Sequence, residues 1–504
     1  MKGFGTAASA AAILLAGAGG AFAADMGLPV KAVPVGSGVC TSIMDFFTTA
    51  CQVSAYGVRF YGTIDIGATY ETHGAPTNQY LGNNAFLQKA NNGAKFLANP
   101  NGLSASNIGV QIKENIGGGW SFVGQLEAGF QPFSMDLLNG VHSIYAAAGT
   151  PLLQQTAFGD SNSQGQFYND LGFFGFSNDT WGTLTFFRQN DLMMDAALSY
   201  DPMGVSGTFS PLGFFGSFTG GGDTQNRRDT TAIKYRVNIA NWHLAAYGQL
   251  GGYNEGNASK GGAQGDLGAD FHIGPGLLSL DGIVGWKKDA VSLGNGLSGP
   301  TNPDGTPKNP TVGGINTQFL NSIISNNTSV MALAKYQVDR WKLFAGYEHV
   351  DYANPSDPQT GFTDIAGDLL CQNCNGLGGI VDNGTQIVNN FYTIHKIDQL
   401  AWVGARYSVT SSLDVTGAYY HEWQNDFSGD PAPAAGAFNC VTLSTSSGKC
   451  QGTRDTISAV ADWQFAPKWD TYLGVNYNWN SGADLNGYLQ KNVFSTTGGL
   501  RFRW

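Results

Sequence analysis

Amphipathic segments of about ten residues recur along this chain, joined alternately by tight turns and by long polar loops. In "GVRFYGTIDIGATY", Gly57 to Tyr70, the residues Val58, Phe60, Ile64, Ile66 and Tyr70 share one parity with Tyr56, while Arg59, Tyr61, Thr63 and Asp65 share the other. A strand sends alternate side chains to opposite faces, so one face needs an apolar surrounding and the other needs water. The alternation returns in Trp120-Phe122-Leu126-Phe130, Ile233-Tyr235-Val237-Ile239, Leu267-Phe271-Ile273, Leu278-Leu280-Val284-Trp286 and Leu413-Val415-Tyr419. It persists to the end of the chain, "VFSTTGGLRFRW", where Phe494, Leu500, Phe502 and Trp504 oppose Ser495, Thr497, Arg501 and Arg503. Chain ends are usually polar and frayed. A sheet that is apolar on one side up to its last residue fits a barrel set in a membrane.

The connections sharpen this. Tight ones are Gly117-Gly118-Gly119, Asn178-Asp179-Thr180, Ala240-Asn241, Gly274-Pro275-Gly276, Asp339-Arg340, Thr410-Ser411 and Ala466-Pro467-Lys468. Five are followed at once by a tryptophan, at positions Trp120, Trp181, Trp242, Trp341 and Trp469. That places the indoles at one depth, as an interfacial aromatic girdle requires. The long connections, among them 74–103, 132–166, 191–226, 289–327, 351–395 and 424–452, are rich in Gly, Asn, Pro and Ser. So many long loops would count against a compact soluble domain. The expected fold is all-β: a transmembrane antiparallel β-barrel of about 16 strands, with short periplasmic turns and long external loops. Closing the last strand onto the first removes the open edges that lipid cannot satisfy. A barrel of that size leaves an aqueous channel.

Composition agrees: only 12% of the 504 residues are charged, 12% are aromatic and 71 are glycine. The formal net charge of -11 excludes nucleic acid as a partner, since phosphate binding needs a basic surface. Lys2, the apolar run through Ala11, Ile13 and Leu15, and Ala21-Phe22-Ala23 read as a signal peptide over residues 1–23, with the mature chain starting at Ala24. That run is too short to span a membrane, and no stretch of about twenty apolar residues occurs elsewhere. Residues 24–54 are expected to form a periplasmic segment and 55–504 the barrel. Six cysteines fall into local pairs, Cys40 with Cys51, Cys371 with Cys374 and Cys440 with Cys450. Proximity favours these disulfides in an oxidising compartment. The Cys371-Gln-Asn-Cys374 motif lacks the βαβ context of a redox site and the second ligand pair of a zinc site, so a loop staple is expected. No cofactor or metal is expected.

Four stretches resemble the Gram-negative general porins, most closely those of alphaproteobacteria. They are "VCTSIMDFFTTACQVSAYGVRFYGTID" (Val39 to Asp65), "NIGVQIKENIGGGWSFVGQLEAGF" (Asn107 to Phe130), "FFGFSNDTWGTLTFFRQND" (Phe173 to Asp191) with the later "RRDTTAIKYRV", and the terminal strand. The resemblance implies an outer-membrane channel for passive diffusion of small hydrophilic solutes and ions. It implies a homotrimer surrounded by outer-membrane lipid and lipopolysaccharide. The aromatic end of the last strand, Phe502 and Trp504, would be the signal read by the outer-membrane assembly machinery. The loop after the fifth strand, about 191–226, would fold inward. Its acids Asp191, Asp195, Asp201 and Asp223 would face a basic wall of Arg59, Arg188, Arg227, Arg228, Lys234 and Arg236. The family often has an acid where "PLGFFGSFTGGG" (Pro211 to Gly222) has none, and arginines where Asn107 and Asn169 or Asp170 stand. With the basic wall thinned and the net charge negative, a weak preference for cations is expected.

Other readings are weaker. A substrate-specific porin would use interior aromatics such as Tyr61, Phe187 and Tyr247 to hold one sugar or anion. An outer-membrane enzyme would assemble Asp65, Glu127 and Asp281 with His243, His272 and His421, yet the chain has no Gly-x-Ser-x-Gly, His-Glu-x-x-His or phosphate-loop motif. Asp266, Asp270 and His272 share a strand face, which a metal site or a polar lumen lining explains, and the lining is favoured. A secreted β protein or adhesin would not align its tryptophans at one depth.

Overall fold

The alternation in Val58–Glu71 folds as the first long strand, β1. In the computed structural model the described residues are 38–72, 93–135, 137, 168–214, 217–223, 228–293, 322–359, 379–382, 385–389, 392–427, 441–442, 445–446, 449–482 and 490–504. The expected signal peptide, Arg227, Cys371, Cys374 and Cys440 lie outside them. Next come β2 (Ser106–Gly117), β3 (Trp120–Phe130), β4 (Leu171–Asn178), β5 (Gly182–Asn190) and β6 (Arg228–Ile239). They are followed by β7 (Trp242–Gln249), β8 (Gly261–Ile273), β9 (Gly276–Leu293), β10 (Ser322–Val338) and β11 (Trp341–Ala353). The last are β12 (Lys396–Ser408), β13 (Leu413–Gln424), β14 (Gly452–Ala466), β15 (Trp469–Gly482) and β16 (Asn492–Arg503).

Each of these strands pairs antiparallel with its neighbours, and β16 returns to β1 from Thr63↔Arg503 to Glu71↔Ser495. The result is the expected closed barrel of sixteen strands. The tight turns at Gly117, Asn241 and Pro467 gather at one end of the barrel.

Side-chain placement follows the parity of the sequence. On β16, Ser495, Thr497 and Arg501 are fully buried inside, while across the ladder Leu473 of β15 stands 62% exposed on the outer wall. Trp120, Trp181, Trp242 and Trp341 are all exposed at the short-turn end, each at or just before the start of its strand. Trp504 has a second contact. Its indole crosses Gly62 of β1, where an added Cβ would lie 2.2 Å from the ring. The missing side chain is what lets the last residue of the chain lie flat over the seam, as aromatic rings do over glycine in paired strands.

Three long connections contain more structure than expected. The one expected over 74–103 holds a strand, Lys95–Ala98, that continues β2 along the upper part of β1, with Ala68↔Ala98 in register. Between Ala98 and Ser106 the chain leaves the wall, and Asn99, Leu103 and Ser104 are buried in the interior. The connection 351–395 carries a hairpin, Gly379–Asp382 with Thr385–Asn389, and 424–452 carries the small ladder Val441–Thr442 with Thr445–Ser446. Periodicity is too short in these pieces to be read from sequence. The Cys40–Cys51 disulfide forms as expected.

Candidate functional site: the lumen and its inward loop

The connection after β5 starts at Asp191 and turns into the barrel. Asp191 caps helix α2, which follows the short N-terminal helix α1 (Ile43–Thr48) and spans Leu192–Tyr200. The Asp191 carboxylate accepts the Met194 N–H at 2.8 Å, the usual way a helix start satisfies a free donor. Gln264 of β8 clamps the same point, accepting from Leu192 N–H at 2.6 Å and donating to Asp191 at 2.9 Å. Beneath it, Lys287 of β9 donates to Asp229 at 2.6 Å, and Tyr247 donates to that same carboxylate at 2.6 Å. Leu192, Met193, Met194 and Ala197 are buried within the barrel interior, so the helix docks by apolar burial as well as by polar contacts.

From α2 the loop crosses the interior, anchored strand by strand. Trp402 of β12 donates from Nε1 to the Tyr200 carbonyl at 3.1 Å, and Arg406 donates to the Pro202 carbonyl at 3.0 Å. Tyr420 of β13 donates its hydroxyl to Asp201, which also accepts the N–H groups of Val205 at 2.6 Å and Met203 at 3.2 Å. Ser458 of β14 donates to the Phe209 carbonyl at 2.6 Å. The excursion before β2 meets the loop as well, through Asn99 to Thr208 at 2.9 Å and Ser206 to the Gly102 carbonyl at 2.6 Å. A short helix, α3 (Pro211–Phe214), follows, and the return passes β9, where Ser292 donates to the Gly222 carbonyl.

The sequence-derived candidates are therefore placed unevenly. Asp195 lies 2.6 Å from Lys234 and 2.5 Å from Arg236, and the Arg236 side chain remains 44% exposed. Asp191 and Asp201 are instead struts, buried and engaged with the wall, and Asp223 is buried on the return of the loop. Arg188 is buried within the wall, donating to the Asn169 carbonyl at 2.7 Å and to Thr230 at 3.2 Å. Arg228 pairs with Asp170 at 3.1 Å, so its charge is met within the wall. Arg59 sits near the short-turn end of β1, opposite Gln111 of β2.

Sequence reasoning missed a second charged cluster on the far wall. Arg501 of β16 lies 2.9 Å from Asp470 and 3.2 Å from Asp462, and Arg503 lies 2.6 Å from Asp470. Asp65 of β1 accepts Leu103 N–H, Ser104 N–H and the Tyr472 hydroxyl, all at 2.8 to 2.9 Å. Parity identifies each as interior, but nothing local in the sequence pairs them.

Charge states in the loop follow from these contacts. Burial alone would raise the Asp195 carboxyl, but the Lys234 and Arg236 charges outweigh it and hold Asp195 below the usual carboxylate range. Asp191 goes the other way: burial pushes it up to about 6 even with Lys287 nearby. Burial likewise raises Asp201. A carboxyl whose folded pKa is raised favours the folded form when protonated, so its contribution is present below the unfolded pKa and is lost as pH rises through the folded one. Docking of the loop start should strengthen as pH falls from about 6 towards the ordinary carboxylate value. Single-channel current noise checks this: it should decrease over that window, and Asp191→Asn should reduce the change.

The residues considered for an enzyme are dispersed. His243 meets Asp281 at 2.5 Å in the lumen, whereas His421 meets Asp455 at 2.7 Å with its parity on the outer wall. Glu127 accepts from Tyr61 at 2.6 Å. Among the described residues no group of three or more His, Cys, Asp or Glu is arranged to hold a metal ion.

The profile of one family, described as Gram-negative porin, matches residues 7–483. Among solved structures the chain is similar to OmpT, an outer membrane protein of Vibrio cholerae, at 11% identity and a TM-score of 0.49, covering 90% of this chain and 99% of that one. It is similar to the outer membrane channel DcaP of Acinetobacter baumannii, at 13% identity and a TM-score of 0.47, over 90% and 99% of the two chains. It is also similar to Salmonella typhi OmpF, solved in complex with daunomycin, at 14% identity and a TM-score of 0.47, over 90% and 100%. No curated protein matches the chain.

Proposed function

The chain belongs to the Gram-negative porin family and is a multi-pass protein of the outer membrane; on that premise we propose that it passes small hydrophilic solutes and ions down their own gradients, with a weak preference for cations. The observation that carries this reading is the closed ring of sixteen strands with the Asp191–Asp223 loop docked inside it. Such a loop narrows an aqueous lumen, and the charges at the neck then act in a field focused by the low-dielectric wall. The Asp195, Lys234 and Arg236 cluster is the proposed selectivity element. The cation preference is supported by the net charge of -11 and by how the basic residues are spent: Arg228 on Asp170, Lys234 on Asp195 and Lys287 on Asp229. The sign of the reversal potential in a potassium chloride gradient tests it, and a chloride-selective sign would overturn it.

A general pore is favoured over a solute-specific one. Of the three interior aromatics considered, Tyr61 and Tyr247 have their hydroxyls committed to Glu127 and Asp229. Saturable block of the current by one sugar or phosphate would support the specific reading instead. The family and fold favour a channel over an enzyme, and absence of phospholipid hydrolysis by the purified barrel is the corresponding check. A homotrimer is proposed from the family resemblance.

Phe502 and Trp504 are proposed as the assembly signal. Deleting Trp504 removes the ring over Gly62 and the backbone pair that Trp504 makes with Gly62. Folded-barrel yield should fall sharply, with the conductance of the molecules that do assemble unchanged. Normal yield would mean that Trp504 is merely the end of a strand.

A further inference from the structure

The pore leaves the N-terminal segment without a task. Its strand Val53–Ala55 pairs with Val58–Phe60, through a turn in which Tyr56 and Gly57 both have positive φ, the geometry of a tight hairpin. The other edge of Val58–Phe60 belongs to β2. The small strand therefore takes the edge of β1 just below the point where β16 stops, and prolongs the seam that closes the barrel.

Ahead of that strand, the Cys40–Cys51 disulfide and a Val39↔Gln52 bridge close a loop around α1. The phenylalanines of this loop meet the outward-facing rings at the end of β16. Phe46 packs 5.6 Å from Phe502 and 6.0 Å from Trp504, and Phe47 packs 5.4 Å from Phe502. Lys468 donates to the Phe46 carbonyl at 2.8 Å, and the indole N–H of Trp469 donates to the Phe47 carbonyl at 3.1 Å. Phe502, whose parity faces lipid, is thereby covered to 7% exposure.

The rest of α1 is not covered. Ile43 is 80% exposed, Met44 69% and Phe47 42%. The same helix carries Asp45, which accepts hydrogen bonds from Thr41 and Thr49 and is held by them below the usual carboxylate range. An apolar side next to an ionised side suits neither bulk water nor hydrocarbon. It suits the headgroup boundary. The depth agrees, because α1 is hydrogen-bonded to Trp469, a member of the tryptophan girdle.

We propose that the disulfide-closed loop around α1 is an interfacial anchor. Phe46 covers the aromatic end of β16, and Ile43, Met44 and Phe47 seat in the glycerophospholipid headgroup boundary of the leaflet facing the periplasm. The apolar surface is continuous with the lipid-facing wall through Phe502 and Trp469, which favours lipid over a second protein as the occupant. The inference rests on the outer-membrane reading, so the test carries its own control for that reading.

The experiment places a photoreactive residue on the full chain, Met44→p-benzoylphenylalanine. A second variant, Leu473→p-benzoylphenylalanine, marks the lipid-facing wall. Both are reconstituted in vesicles of phosphatidylethanolamine and phosphatidylglycerol, irradiated and weighed by mass spectrometry. The expected result is a mass gain of one phospholipid at Met44, in a yield comparable with Leu473. A lipid adduct at Leu473 with none at Met44 would overturn the anchor and leave the barrel intact. A crosslink from Met44 to a second copy would overturn it in favour of a protein interface. No lipid adduct at either position would contradict the membrane reading itself.

Discussion

Arg501→Met is expected to destabilise the barrel by about 3 kcal/mol, the low end of the range for breaking a buried ion pair from one side. Arg501 is fully buried on β16 and reaches Asp470 through Nε, Asp462 through Nη2 and Ser104 through Nη1. Removing the guanidinium leaves Asp462 without its Arg501 partner, and Asp470 keeps only Arg503. Lumen water can solvate part of the orphaned charge, which is why the low end applies. The seam adds to the effect, since Arg501 lies opposite Asp65 in the β1–β16 ladder. The measurement is the denaturant midpoint of the folded barrel, with Arg501→Lys as comparison. Lysine keeps the charge but not the fork that reaches two carboxylates, so it should recover only part of the loss. An unchanged midpoint for Arg501→Met would mean that water already screens the pair.

The second large effect concerns conductance. Asp201 holds the middle of the inward loop: its carboxylate accepts the Tyr420 hydroxyl from the wall and two N–H groups of the loop itself. Asp201→Ala would leave those buried donors unsatisfied, at about 1–3 kcal/mol for each one that finds no water. The loop should detach locally around Pro202–Val205 rather than unfold the barrel, because the wall ladders do not pass through it. Single channels should then show larger and noisier currents. Tyr420→Phe, which removes only the wall donor, should shift the same way by less. Wild-type conductance and noise in both variants would show that the remaining anchors, Trp402 to Tyr200 and Ser458 to Phe209, suffice alone.

The architecture was legible because its signals are local. Parity in Val58–Glu71 and Asn492–Arg503 marks inside and outside, since neighbouring residues in a strand must face opposite ways. The strand number followed from tight turns that repeat at one end and loops that repeat at the other. Interior partners were not legible, because a closed barrel joins residues far apart in sequence: the Tyr472 to Asp65 hydrogen bond spans 407 positions. Asp195 was one of four loop acids set against six wall bases, and which of those bases it meets, Lys234 and Arg236, was not readable from the sequence. Asp191 was expected to face the pore, yet it caps α2. Its spacing from Met194 is that of a helix N-cap, a signal that was present but outweighed by the loop-like composition around it. The position of α1 on the outer rim had no signal at all, since six residues are too few to show a helical period.

Planar-bilayer recording of the purified, folded barrel tests the central claim most directly. The account predicts discrete, ohmic current steps that persist across different salts, with a reversal potential of weakly cation-selective sign in a potassium chloride gradient. Correctly folded barrels that insert and yet pass no current would contradict it.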